Sequence, residues 1–139
     1  MNVPDWFTGL SSPLDEKMGV ELLEVTPTRA VCRCPVEGNT QPFGLWHGGA
    51  SCVLAESLAS LAAAAEVGPD GAVTGVDINA THLRSARAGW VTGVATAIRI
   101  GGTLATYDVA ITDDTGQQLC AARITVYLRR ARAAAETTI

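Results

Sequence analysis

The stretch Gln41–Ser60, QPFGLWHGGASCVLAESLAS, decides the fold. It opens on turn-forming residues, passes one histidine and two adjacent glycines, and becomes a run apolar enough for a buried helix. The run ends before Gly68-Pro69, so a helix is predicted over Gly49–Glu66. Twelve of those 18 residues are Ala, Val, Leu or Cys, and they surround the axis instead of forming a stripe. A helix apolar on all sides is a buried one. Yet Glu56 stands near its middle, where a charge is costly unless it is paired, protonated or open to a cleft.

Working outward, GVELLEV and RAVCRCPV are split by Pro27 and predict a hairpin, with Ala30, Cys32 and Cys34 on one side of the second strand and Val31 and Arg33 on the other. Beyond Gly71 the period changes. AVTGVDINATHL, GWVTGVATAIRI, LATYDVAITD and QLCAARITVYL are β-rich runs, and Asp114-Thr115-Gly116 is a hairpin signal between the last two. Four consecutive strands with no helix between them predict an antiparallel meander. The expected class is α+β, a long central helix wrapped by a curved antiparallel sheet. One sheet covers half of such a helix, so a second copy of the chain is expected on the rest.

The 139 residues make one domain, with a core over about 14–128 and a frayed tail or short helical turn over 129–139. A net charge of −4 and the lack of any Lys/Arg run argue against a nucleic-acid partner. The longest apolar run, Leu61–Ala65, is too short to span a bilayer, and the amino terminus lacks the apolar region of a secretion signal. Cys32, Cys34, Cys52 and Cys120 form neither a CxxC pair nor a second cluster. Reduced thiols in a cytoplasmic protein are expected, with no zinc site.

The chemistry gathers at the helix start. Gly48 and Gly49 would expose amide N–H groups at the positive end of a helix dipole, a place for a developing oxyanion, though a tight turn needing positive φ is the plainer reading of Gly-Gly. His47 could orient a carbonyl or cap the helix. Gln41 can donate or accept from the preceding loop. Glu56 lies about two turns along the same face, and Ser60 one turn beyond. Amide donors, a carboxylate and polar neighbours are the parts acyl transfer needs. No GxSxG elbow is present, and His47 and His82 lack metal-ligand spacing.

This set, continued by NATHLRSARAG, resembles the hotdog-fold acyl-CoA thioesterases, most closely the bacterial group that includes the proofreading and dihydroxynaphthoyl-CoA thioesterases. The likeness runs from about Leu14 to Leu128. It implies Glu56 as nucleophile or general base, Gly48 as the oxyanion amide, Gln41 and His47 as orienting groups, and Ser60 as the hydroxyl that places water. It implies His82 in the substrate site and Arg84, Arg87, Gly102 and Thr103 near the nucleotide's phosphates. Ser85 and Gly102 depart from the family's usual proline and arginine. Trp46 replaces a smaller aliphatic residue, so it either narrows the acyl pocket or packs against a partner subunit.

The resemblance further implies an acyl-CoA substrate, no cofactor, and a tetramer built from two dimers with sites between subunits. An aromatic acyl group is the first expectation. A medium-chain fatty acyl group or a carrier-protein thioester is the alternative. A non-catalytic acyl-CoA-binding module is the rival that would not need Glu56, and a hotdog dehydratase would need a different histidine–acid spacing.

Overall fold

The computed structural model describes residues 2–132. Its centre is α2, Gly48–Val67, one residue longer at each end than expected and closed by Gly68 at a positive φ of 80°. Around it lie a 3₁₀ turn at Asp5–Gly9, the short helix α1 at Pro13–Met18, and six strands: β1 Glu21–Thr26, β2 Arg29–Pro35, β3 Ala72–His82, β4 Trp90–Ile100, β5 Leu104–Thr112 and β6 Gln118–Arg129. The last strand therefore includes Arg129, which was expected in the tail. Residues 133–139 lie outside the described residues.

The strands form one antiparallel sheet in the order β1-β2-β4-β5-β6-β3. The β1–β2 hairpin is present as expected. The meander holds for β4-β5-β6 and fails for β3, which sits at the far edge against β6. Connection chemistry explains the difference. The GGT and DTG segments close tight turns, and Asp113 accepts from the amides of Thr115 and Gln117 in the second. The seven residues between β3 and β4 hold no such turn, and they are long enough to pass over β6 and β5, three strand spacings or about 14 Å.

α2 lays Ala50, Ser51, Leu54, Ala55, Leu58, Ala59, Ala62 and Ala63 on the sheet, the spacing of one helix face. Its other face is part-exposed, and Glu56 stands on it. The chain alone thus buries half of a helix whose composition suits burial throughout. By length and composition α2 would also suit a membrane span, but its buried half packs on the sheet. The approach is close because Gly93 of β4 has no side chain: a Cβ there would stand 2.6 Å from Leu58 Cδ1, itself fully buried. Gly93→Val is expected to destabilise the fold by about 1–3 kcal/mol through overpacking. Urea unfolding would register this as a lower midpoint at constant slope, and an unchanged midpoint would refute it.

The four cysteines are unpaired with one another. Burial, and then the charge of Asp15, push the Cys34 thiol up to about 11. β3 leaves most of its side chains exposed, with Val76 56% and Ile78 39% accessible, and its outer edge carries no strand among the described residues. Such an edge invites another strand.

Candidate active site

The loop before α2 is fixed from three sides. Asn39 donates its side-chain amide to the carbonyls of Met18 (2.7 Å) and Pro35 (2.8 Å), and its own carbonyl accepts from His47 N (2.9 Å). Trp46 N donates to Ala86 O at 2.8 Å. The Trp46 indole, 6% exposed, donates to Ser51 Oγ at 2.7 Å. Trp46 therefore packs inside its own chain, clamping the loop to the first turn of the helix. Neither the acyl-pocket nor the partner-packing expectation fits a ring spent on that clamp. Gln41 directs Oε1 onto the amides of Phe43 and Leu45, which shapes the turn and leaves its NH₂ without a protein acceptor among the described residues.

His47 is the N-cap of α2, and Nδ1 accepts from Gly49 N at 2.8 Å. That bond needs a neutral ring with its proton on Nε2, so the free edge of His47 is a donor. It also corrects the expectation of two exposed glycine amides. Gly49 N–H is spent on His47 Nδ1, and Ala50 N–H and Ser51 N–H on His47 O. Among the described residues, only Gly48 N–H is without an acceptor at this helix start. Nor do the two glycines serve a positive φ, since neither has one. Gly48 instead admits His82 from the end of β3: a Cβ on Gly48 would lie 2.9 Å from His82 Nε2. Gly48, His47 and His82 are thus brought together.

Glu56 lies eight residues beyond Gly48, about 12 Å along the axis. It is exposed and joins no ion pair or hydrogen bond among the described residues. Its Oε1 rests over Gly75 of β3, where any side chain would collide with it. With Ser60, Ser57, Leu61, Ser12 and Asp15 it lines a shallow cavity of about 200 Å³. The tolerance of a charge in this helix is therefore explained by its open face. Of the three ways to carry that charge, the single chain supplies the open cleft. Twelve ångströms also separate Glu56 from the amide at its own helix tip, so one chain does not bring both to one carbonyl. Reacting groups must approach to about 3–3.5 Å.

The nucleotide expectations fare unequally. Arg84 Nη1 donates to Gln118 O at 3.0 Å, and Arg87 lines an open recess of about 560 Å³ with Thr40 and Trp90. Gly102 and Thr103 spend their carbonyls on Arg130 Nε (3.0 Å) and Leu128 N (2.7 Å). The two groups stand at opposite ends of the 11-residue β4, about 35 Å apart. One chain does not assemble them into a phosphate site. The sequence analysis passed over Ser12 and Asp15, although Ser12-Pro13 followed by two acids is a helix-start signature; the structure sets that helix, α1, on the Glu56 cavity.

The family profile of the thioesterase superfamily matches residues 43–120, from the loop through β5 and into β6. The chain is 44% identical over 120 residues to the 1,4-dihydroxy-2-naphthoyl-CoA hydrolase of Listeria monocytogenes, covering 86% of this chain and 98% of the relative. It is 41% identical over 111 residues to the enzyme of the same name from Escherichia coli, covering 79% and 76%. A solved thioesterase from Haemophilus influenzae superposes with a TM-score of 0.85 at 29% identity, over 98% of this chain and 96% of that one. The helix-on-sheet architecture is the hotdog fold, as the sequence led us to expect. On these grounds the chain belongs to the thioesterase superfamily and is a thioester hydrolase.

Proposed function

We propose that the chain hydrolyses an aromatic acyl-CoA to the free acid and CoA, at a site completed between two copies. The observation that carries this reading is Glu56: a carboxylate free of internal partners, held over Gly75 at the mouth of a cavity. A non-catalytic binding module has no use for that arrangement. The names of the two relatives supply the aromatic acyl group and CoA.

A two-fold axis crossing α2 near Cys52, midway between Gly48 and Glu56, sets the Gly48 of one copy opposite the Glu56 of the other. It would also cover the half-exposed face of α2 and give β3 a strand to pair with. In such a site the Gly48 amide takes the thioester oxygen as charge develops on it. Glu56 attacks the carbonyl carbon or removes a proton from attacking water, with Ser60 one turn away to hold that water. His47 Nε2–H and the Gln41 NH₂ are donors for the thioester. His82, beside Gly48, borders the acyl group, and Arg84 and Arg87 face the nucleotide with Gly102 and Thr103 from another copy. Where Glu56 attacks, the C–S bond breaks to leave the acyl group on Glu56 as an anhydride, which the water held by Ser60 then cleaves to the free acid; where water attacks, the C–S bond breaks as the water oxygen joins the carbonyl carbon. In both courses the CoA thiolate departs and takes up a proton. No step calls for a metal or redox cofactor. The reading extends to a tetramer of two such dimers and to a cytoplasmic setting, which suits four free thiols.

A thiol-release assay comparing benzoyl-CoA with octanoyl-CoA tests the acyl class, and preference for octanoyl-CoA would refute the aromatic assignment. Mixing tests the shared site. Chains carrying Glu56→Ala and chains carrying Gly48→Pro are each expected to be inactive. Refolded together, they should regain about one quarter of wild-type activity, because half the dimers are hybrids with one intact site of two. No recovery in confirmed hybrids would refute the shared site.

A further inference from the structure

Gly75 is a glycine that its own strand does not ask for. It sits inside β3, where a residue without a side chain weakens the strand. A β-bulge follows it, since the register with β6 slips between Gly75 and Asp77. The type of bulge that requires glycine needs it in the left-handed region, and Gly75 has no positive φ. Nor does it serve close packing of the core, as Gly93 does against the fully buried Leu58. The atoms nearest to the position of its missing Cβ all belong to Glu56.

The contact is graded along that side chain. A Cβ at position 75 would collide with Oε1, but would lie 3.4 Å from Cδ and 3.7 Å from Cγ. The stem of Glu56 clears the strand at ordinary contact distance, and only the carboxylate oxygen depends on the glycine. No hydrogen bond or ion pair among the described residues holds that end. A carboxylate without a donor is placed by shape, and the bare backbone of Gly75 is the floor on which Oε1 stops. A methyl group would raise that floor by about 1.5 Å, one carbon–carbon bond. Glu56 is exposed, so it can swing aside and relieve the clash while the fold stays as it is.

We propose that Gly75 is a positioning residue for the hydrolysis: its lack of a side chain sets where the Glu56 carboxylate stands. This deepens the reading of Glu56 as attacking group or base, and rests on it. Reacting groups need near-contact geometry, and a misplacement of about 1 Å can lower a rate about a hundredfold. The substitution that harms turnover is thus one that leaves the strand sound, because alanine suits a strand interior better than glycine.

The test is Gly75→Ala, assayed by thiol release with benzoyl-CoA or octanoyl-CoA, whichever wild type turns over faster. Its kcat should fall about a hundredfold with KM changed little. Its thermal midpoint should be no lower than that of wild type, and its elution in gel filtration should be unchanged. A crystal structure of the variant should show the carboxylate moved from its place over residue 75. Thr74→Ala is the control: neighbouring side chains of a strand point to opposite faces, so this variant should keep the wild-type kcat. A Gly75→Ala enzyme as fast as wild type overturns the proposal. So does a loss that Thr74→Ala shares, or one that comes with a lower thermal midpoint or a dissociated assembly, since the strand and not the carboxylate is then at fault. Turnover that survives Glu56→Ala would instead overturn the reading of Glu56 itself. An inactive Glu56→Ala beside a fully active Gly75→Ala spares that reading and removes this proposal alone.

Discussion

Replacing Glu56 with Ala is expected to lower kcat by about a thousandfold or more, with KM changed little and the fold intact. The loss should be this large because no other acid or base among the described residues occupies the place of the Glu56 carboxylate over Gly75. His47 spends Nδ1 on the cap of α2, and Asp15 accepts the Ser57 hydroxyl on Oδ1. The fold should hold because Glu56 is exposed, unpaired and on a helix that Ala suits. Thiol-release kinetics, thermal unfolding and gel filtration on the same preparation check the three parts. Retention of even a tenth of the wild-type rate would remove Glu56 from the chemistry. An unfolded variant would show the carboxylate to be structural.

The second large effect concerns one N–H group. Gly48 is the first residue of α2, where a missing amide proton costs the helix nothing and proline is well tolerated. His47 before it is already extended, at ψ 128°, as the residue before a proline must be. Gly48→Pro and Gly48→Ala both add a Cβ against the His82 ring, which can swing aside from its exposed position. They differ chiefly in the amide. Gly48→Pro is therefore expected to fall about a hundredfold or more below Gly48→Ala in kcat, the effect of deleting one oxyanion donor. Equal rates for the two variants would show that the amide meets no developing charge.

Much of this was legible in the sequence, and the illegible parts share a cause. The apolar run after His47, its Gly68-Pro69 stop and the alternation in Ala30, Cys32 and Cys34 are local signals, and they gave the helix and the hairpin nearly to the residue. The place of β3 is a non-local fact: alternation says that a strand exists and not which neighbour it takes. The site divides the same way. The motif from Gln41 to Ser60 marks the helix face that carries Glu56 and Ser60, but it cannot tell that His47 consumes the Gly49 amide or that Trp46 turns inward to Ser51. Those are outcomes of packing between residues two to five apart whose side chains could have turned either way. Ser12 and Asp15 went unread because a six-residue helix has too few turns to show a period.

The distance between Gly48 and Glu56 along α2 has a practical corollary for anyone assaying the protein. Under the proposed shared site a lone chain carries two half-sites and no whole one, which makes turnover per milligram a mass-action quantity. Serial dilution below the dissociation constant of the dimer should make the rate fall faster than the amount of protein added. Activities measured at different stock concentrations would then disagree without either preparation being damaged.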